Sequence, residues 1–178
     1  MAESANQNTE RTDYLDENTL KAVETYEKLG TDNKLALLYY VYEKMGDSVT
    51  PADPTAAEPE LSPVLMDSFY NLSHTDQLNA MRDIVNCADT EYSRAYGALK
   101  ENNQLLVWFD WAERMGDTVV GMPSDYNVPE SVNTSLGQIE ALEFEQQITL
   151  LREIARGMGH TDVKPIPTQT ETGKTSSL

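Results

Sequence analysis

Apolar residues recur at three- and four-residue intervals through most of the chain, and the runs open on capping residues and close on glycine or proline. The spacing predicts a first helix from Asn18 or Thr19 to Gly30, with Gly30 as a left-handed terminator. Thr31 or Asp32 caps a second, through Leu35, Leu38, Tyr42 and Met45 to Gly46. Residues 47–60 contain Pro51, Pro54 and Pro59 and read as a loop. Ser62-Pro63 opens a helix with Leu65, Phe69 and Leu72, and Ser73 or Thr75 caps the next, with Leu78, Met81, Ile84 and Val85 on one face. Thr90 caps a short helix reaching Leu99, and Asn102 precedes one that closes at Gly116. After a loop over residues 117–130 come two more, one through Leu136, Ile139 and Leu142, the other through Ile148, Leu151, Ile154 and Met158 to Gly159. No stretch alternates with period two long enough for a strand. The prediction is an all-α domain of about eight helices over residues 14–162, between disordered polar tails at 1–13 and 163–178.

Two of these segments are near-duplicates. LALLYYVYEKMG at 35–46 and LLVWFDWAERMG at 105–116 are each aromatic-rich, turn acidic and then basic, and end Met-Gly, 105 − 35 = 70 residues apart. The same offset pairs Tyr26 and Leu29 with Tyr96 and Leu99, and Asp47-Ser48-Val49 with Asp117-Thr118-Val119. It also pairs Pro59-Glu60 with Pro129-Glu130, Gln77 with Gln147, and Met81-Arg82-Asp83-Ile84 with Leu151-Arg152-Glu153-Ile154. Two copies are too few for a solenoid. They suit two four-helix bundles related by a pseudo-two-fold axis, each burying an apolar face against the other. The aromatic helices are the natural lining of that junction, either as packed core or as the walls of a site for a long, nearly symmetric apolar ligand.

Charge narrows the partners. Thirty acidic residues against 13 basic give a net charge of −17, the wrong sign for phosphate backbones or an anionic membrane surface. A basic protein surface is the partner such a balance allows. No apolar run approaches the length of about 20 residues needed to span a bilayer. Cys87, the only cysteine, rules out an internal disulfide and reads as a small buried residue. The start of the chain lacks the basic-then-apolar order of a signal peptide, which suits a soluble protein of the cytoplasm.

Catalytic and metal-binding patterns are absent from the sequence. His74 and His160 sit at helix edges, no Ser or Cys stands in a nucleophile setting, and Asp110 with Glu113 and Glu140 with Glu143 read as solvated faces. The chain does not read as an enzyme. What it holds in quantity is lining: Tyr39, Tyr40, Tyr42, Trp108, Phe109, Trp111 and Tyr126, with Met45, Met81, Met115, Met122 and Met158 as adaptable filler.

At residues 35–46, Met81-x-Asp83, Ala88-Asp89-Thr90, Trp108, Pro123-x-x-Tyr126 and QQITLLR at 146–152, the chain resembles the N-terminal domain of the cyanobacterial orange carotenoid protein. It is more similar still to the helical carotenoid proteins, free-standing paralogues of that domain, and the likeness covers about residues 18–160. The resemblance implies two four-helix bundles holding one keto-carotenoid, canthaxanthin, echinenone or similar, without a covalent bond. By motif position it implies a tunnel or tunnel mouth at Leu35, Tyr39, Tyr42, Met81, Leu105, Trp108, Met115, Met122, Pro123, Tyr126, Ile148, Thr149, Arg152 and Met158. Arg152 falls where the family has an arginine facing a second domain or the antenna. Tyr39 and Leu99 stand where the orange carotenoid protein has Trp, Arg82 and Leu106 where it has Cys and Gly, and Cys87 where it has Arg. The implied function is photoprotection: quenching of singlet oxygen, carotenoid carriage, or draining of excitation from the thylakoid-attached phycobilisome. A separate homologue of the C-terminal domain is the implied carotenoid donor. The other function class compatible with the sequence is a carotenoid-free helical adaptor that binds a protein through its acidic surface.

Overall fold

The structure is a computed structural model that describes residues 15–49 and 62–162; the predicted tails, and most of the first predicted loop, lie outside those residues. Eight α-helices follow one another among the described residues: α1 (Glu17–Glu27), α2 (Thr31–Val49), α3 (Pro63–Met66), α4 (His74–Val85), α5 (Glu91–Gly97), α6 (Glu101–Glu113), α7 (Glu130–Glu140) and α8 (Phe144–Arg156). A 3₁₀ turn, Ser68–Asn71, separates α3 from α4. The one helix expected across 63–72 is therefore two pieces, broken at Asp67, whose backbone (φ −141°) has left the helical region.

Helix ends follow capping chemistry. Asp16 accepts from the Thr19 amide at 2.8 Å and Thr19 Oγ1 at 3.0 Å, which starts α1 one to two residues earlier than expected. Ser73 caps α4 and Thr90 caps α5, as the sequence predicts. Glu143 and Gln146 form a reciprocal capping box at the start of α8. The glycines divide. Gly116 and Gly159 adopt left-handed backbone, at φ +86° and +83°. Gly30 does not; it precedes α2, and its carbonyl takes the first helical bond from the Lys34 amide at 2.9 Å. Gly46 lies inside α2, which runs on to Val49.

The 70-residue repeat is visible in the fold. α2 and α6 begin at Thr31 and Glu101, α4 and α8 at His74 and Phe144, each pair 70 apart. Side-chain bonds repeat too: Gln77 Nε2 donates to the Phe69 carbonyl at 3.2 Å, and Gln147 Nε2 to that of Ile139 at 3.0 Å. Lys44 pairs with Glu140 at 3.3 Å; at the counterpart positions the Arg114 guanidinium lies 4.6 Å from the centre of the Tyr70 ring.

The bundles are not the two sequence halves. α1 and α2 pack with α7 and α8, whereas α5 packs with α3 and α4, and Trp111 of α6 stacks on Phe69 with ring centres 3.9 Å apart. Each bundle thus combines the first two helices of one repeat with the last two of the other. In the second repeat, residues 114–129 join its first helix pair to its second. Exchange buries the apolar face of each helix pair on its counterpart, so neither repeat holds a complete core alone. α2 against α6, α2 against α4, and α6 against α8 tie the bundles together.

Candidate functional site

Helical periodicity puts Leu35, Leu38, Tyr39 and Tyr42 on one face of α2 at i, i+3, i+4 and i+7. The same spacing sets Trp108, Trp111 and Ala112 on α6, with Met115 in the turn beyond it. These two faces and Met81 of α4 enclose a cleft at the bundle junction, with about 320 Å³ of empty space including the part open to solvent. Although the spacings match, the walls are not symmetry mates, because the counterpart of Leu35 is Leu105 rather than Trp108. Beside Leu105 the two helices are in contact: Tyr42 donates to the Leu105 carbonyl at 3.3 Å and meets Phe109 edge to face. The cleft thus opens toward Trp108 and Met115, while Tyr42 bridges α2 to α6 at Leu105 and Phe109.

The cleft walls are apolar because their polar atoms are committed elsewhere. Trp108 Nε1 donates to Tyr96 Oη at 2.9 Å, and Trp111 Nε1 to the Leu65 carbonyl at 3.1 Å. Burial pushes the Tyr42 phenol well above its ordinary range. Hydrogen bonding with Glu43, then burial, also raises the Tyr39 phenol, so both phenols stay neutral in physiological water. What remains exposed to the cleft is aromatic face, aliphatic carbon and two thioethers. Met81 and Met115 are the side chains most able to change shape around a guest.

Of the residues the resemblance singled out, Leu35, Tyr39, Tyr42, Met81, Trp108 and Met115 come together here. Leu38, Trp111 and Ala112 join them; Trp111 belonged to the aromatic set, and the other two carry no sequence signal beyond helical spacing. Met122, Pro123 and Tyr126 belong to a segment that runs from α4 to α2. At one end Gln77 accepts from the Val120 amide and donates to the Thr118 carbonyl, both at 2.8 Å; at the other Tyr126 bonds Asn33 Oδ1 at 3.1 Å.

Leu105, Ile148, Thr149, Arg152 and Met158 do not border this cleft. Leu105 and Met158 are buried in the core, Ile148 packs partly against it, and Thr149 bonds the Glu145 carbonyl of its own helix at 2.9 Å. Arg152 is exposed. Among the departures from the family pattern, Leu106 lies outside the lining, and Arg82 forks onto Asp32 at 2.9 and 3.1 Å instead of entering the cleft.

Two expectations are corrected. Cys87 is exposed rather than buried, at φ 56°, with its thiol 3.3 Å from the Gly157 carbonyl. It follows the C-cap Asn86 of α4 in left-handed backbone, which leaves it at the surface. Asp110 is not a solvated carboxylate: it accepts from the Tyr70 hydroxyl and from Arg114 Nε at 3.1 Å. The Tyr70 phenol is raised chiefly by burial and then by that hydrogen bond. Among the described residues no group of three His, Cys, Asp or Glu side chains is placed to hold a metal, and no helix is long and apolar enough to cross a membrane.

Fold and cleft together define a helical protein with an aromatic-walled apolar site between two interlocked bundles. The family model described as "Orange carotenoid protein, N-terminal" matches residues 12–161. An orange carotenoid-binding domain-containing protein of Nostoc sp. is 37% identical over 138 residues, covering 77% of this chain and 81% of the relative. The orange carotenoid-binding protein of Synechocystis sp. is 33% identical over 137 residues, 76% of this chain but 43% of that longer protein. The structure of the red carotenoid protein of Anabaena (Nostoc) sp. binding canthaxanthin superposes with a TM-score of 0.71 at 33% identity, over 80% of this chain and 99% of that one. The chain belongs to the orange carotenoid protein N-terminal domain family.

Proposed function

We propose that residues 14–162 bind one keto-carotenoid non-covalently between the bundles and use it for photoprotection, above all by quenching singlet oxygen. The observation that carries this reading is the cleft itself. Its walls are aromatic rings, Leu and Met, with the indole donors turned to protein acceptors, the surroundings a conjugated hydrocarbon prefers. Canthaxanthin in the similar red carotenoid protein supports the ligand class.

The site proposed comprises Leu35, Tyr39, Tyr42, Met81, Trp108 and Met115 at the cleft, and Met122, Pro123 and Tyr126 in the segment beside it. Leu105, Ile148, Thr149, Arg152 and Met158 complete it on the α6–α8 side. A polyene is longer than the cleft, so loading parts the packed contact of Tyr42 with Phe109 and extends the cleft toward Leu105. Hydrocarbon walls exclude water from the polyene, while small molecular oxygen reaches it and transfers its excitation. Docking to the phycobilisome, receipt of carotenoid from a C-terminal-domain homologue, and work in the aqueous phase beside the thylakoid extend the same reading. The net charge of −17 favours basic docking partners for these steps.

The test is production in cells that make canthaxanthin or echinenone, followed by desalting and a visible spectrum. An orange-to-red band travelling with the folded protein is the expected result. A folded but colourless protein overturns the proposal and leaves the acidic helical adaptor in its place.

A further inference from the structure

Tyr96 has no place in the cleft, yet it holds one wall of it. It is fully buried on α5, with its side chain between α6 and α8. Its hydroxyl accepts from Trp108 Nε1 at 2.9 Å and donates to the Ala155 carbonyl of α8 at 2.8 Å, so one O–H joins three helices in a polarised chain. Gln104 Nε2 closes back on the Tyr96 carbonyl at 3.2 Å. Trp108 meets Tyr96 edge to face at 5.9 Å and Trp111 at 5.4 Å, and Trp111 in turn stacks on Phe69.

The ring itself cannot shift. Gly159, at φ +83°, lies against it so closely that a Cβ there would stand 2.6 Å from Tyr96 Cδ1, and a Cβ on Gly97 would collide with the His160 carbonyl. The backbone turn behind the ring is pinned by Gly159 N to the Ile84 carbonyl at 2.8 Å and His160 N to that of Ser93 at 3.0 Å. Burial holds the Tyr96 phenol far above its ordinary range, so it remains a neutral donor and acceptor at any physiological pH.

We infer that Tyr96 is a positioning residue for the bound chromophore: it sets the plane and tilt of the Trp108 indole, and through Trp108 it tunes how tightly, and at what colour, the carotenoid is held. This rests on the carotenoid reading above, and it assigns a role to a residue outside the lining. Without the hydroxyl, the buried Trp108 N–H has lost its acceptor, while the Ala155 carbonyl keeps only its backbone donors, such as the Met158 amide at 3.3 Å. The indole then turns toward whatever acceptor remains, and its face against the ligand changes.

The experiment compares canthaxanthin-loaded wild type, Tyr96→Phe, Trp108→Phe and the double variant by visible absorption and by retention of pigment. Tyr96→Phe should shift the visible band and weaken retention about fivefold, the loss of one buried hydrogen bond. In the Trp108→Phe background the same change should move neither, because the coupling has been removed. A purely structural tyrosine would lower the melting temperature in both backgrounds and leave the band where it was; that result, or an equal shift in both, overturns the inference. Near-UV circular dichroism in a Trp111→Phe background reads Trp108 as the sole indole without pigment. Tyr96→Phe should change that signal even if the wild type binds no carotenoid, and an unchanged signal overturns the inference on its own.

Discussion

The two aromatic helices descend from one pattern and have come to do different work. α2 runs 19 residues and passes through its Met-Gly without stopping, while α6 runs 13 and ends before its own. After α6, Gly116 turns left-handed and accepts a tight return in which its amide bonds the Val119 carbonyl at 2.9 Å. α6 brings two indoles to the cleft, each with its N–H bound to protein, which makes that wall rigid. At the positions of Trp108 and Trp111, α2 has Leu38 and Val41, and it shows the cleft Leu38 with Leu35, Tyr39 and Tyr42. A near-symmetric scaffold thus carries an indole wall on α6 and a tyrosine and leucine wall on α2, and the cleft between them is not lined by symmetry-related residues.

Substitutions at counterpart positions sharpen or break that contrast. The largest difference should come from Trp111→Ala against Val41→Ala, both positions being 1% exposed. Losing the indole should cost about 3–5 kcal/mol, and losing two methyl groups about 2 kcal/mol, read by denaturant unfolding. Equal costs would mean that the α6 wall is no more tightly built than α2.

Next come the paired glutamines. Gln77 is fully buried with three hydrogen bonds, to Phe69, Thr118 and Val120, whereas Gln147 bonds Ile139. Gln77→Ala should lose about 2–4 kcal/mol and Gln147→Ala about 1 kcal/mol by the same measurement. If Gln147→Ala proved the worse, the anchoring of residues 118–120 on α4 would not matter to stability.

Smaller again is the glycine pair. Gly116→Ala should lower stability by about 1–2 kcal/mol for its backbone alone, since nothing lies within 4 Å of a Cβ there. Gly46→Ala, within a helix, should raise it by up to about 1 kcal/mol. Melting temperatures moving in opposite directions would confirm that the same Met-Gly serves opposite purposes in the two copies.

Much of this was legible in the sequence, and the limits have physical causes. The repeat, its register and the helix starts at Ser73 and Thr90 follow from periodicity and capping residues, which are local. Exchange of helix pairs between bundles is not local: an apolar stripe shows that a face is covered, not by which helix. Gly46 and Gly116 share the flanks Met-Gly-Asp, and only packing decides which turns left-handed. Tyr96 and Gln77 look like ordinary core and surface positions, because their partners stand 59 and 43 residues away in Ala155 and Val120. The cleft was half legible, since the aromatic helices announce a junction but not which side of it is open.

If the carotenoid lies in the α2–α6 cleft, plugging the cleft must keep it out. Ala112→Trp places an indole into the cleft from the rigid wall, and the full chain is then made in canthaxanthin-producing cells and checked for helical content by far-UV circular dichroism. A folded, colourless protein is the expected result. A folded protein that keeps the visible band and pigment load of the wild type would place the carotenoid outside the cleft.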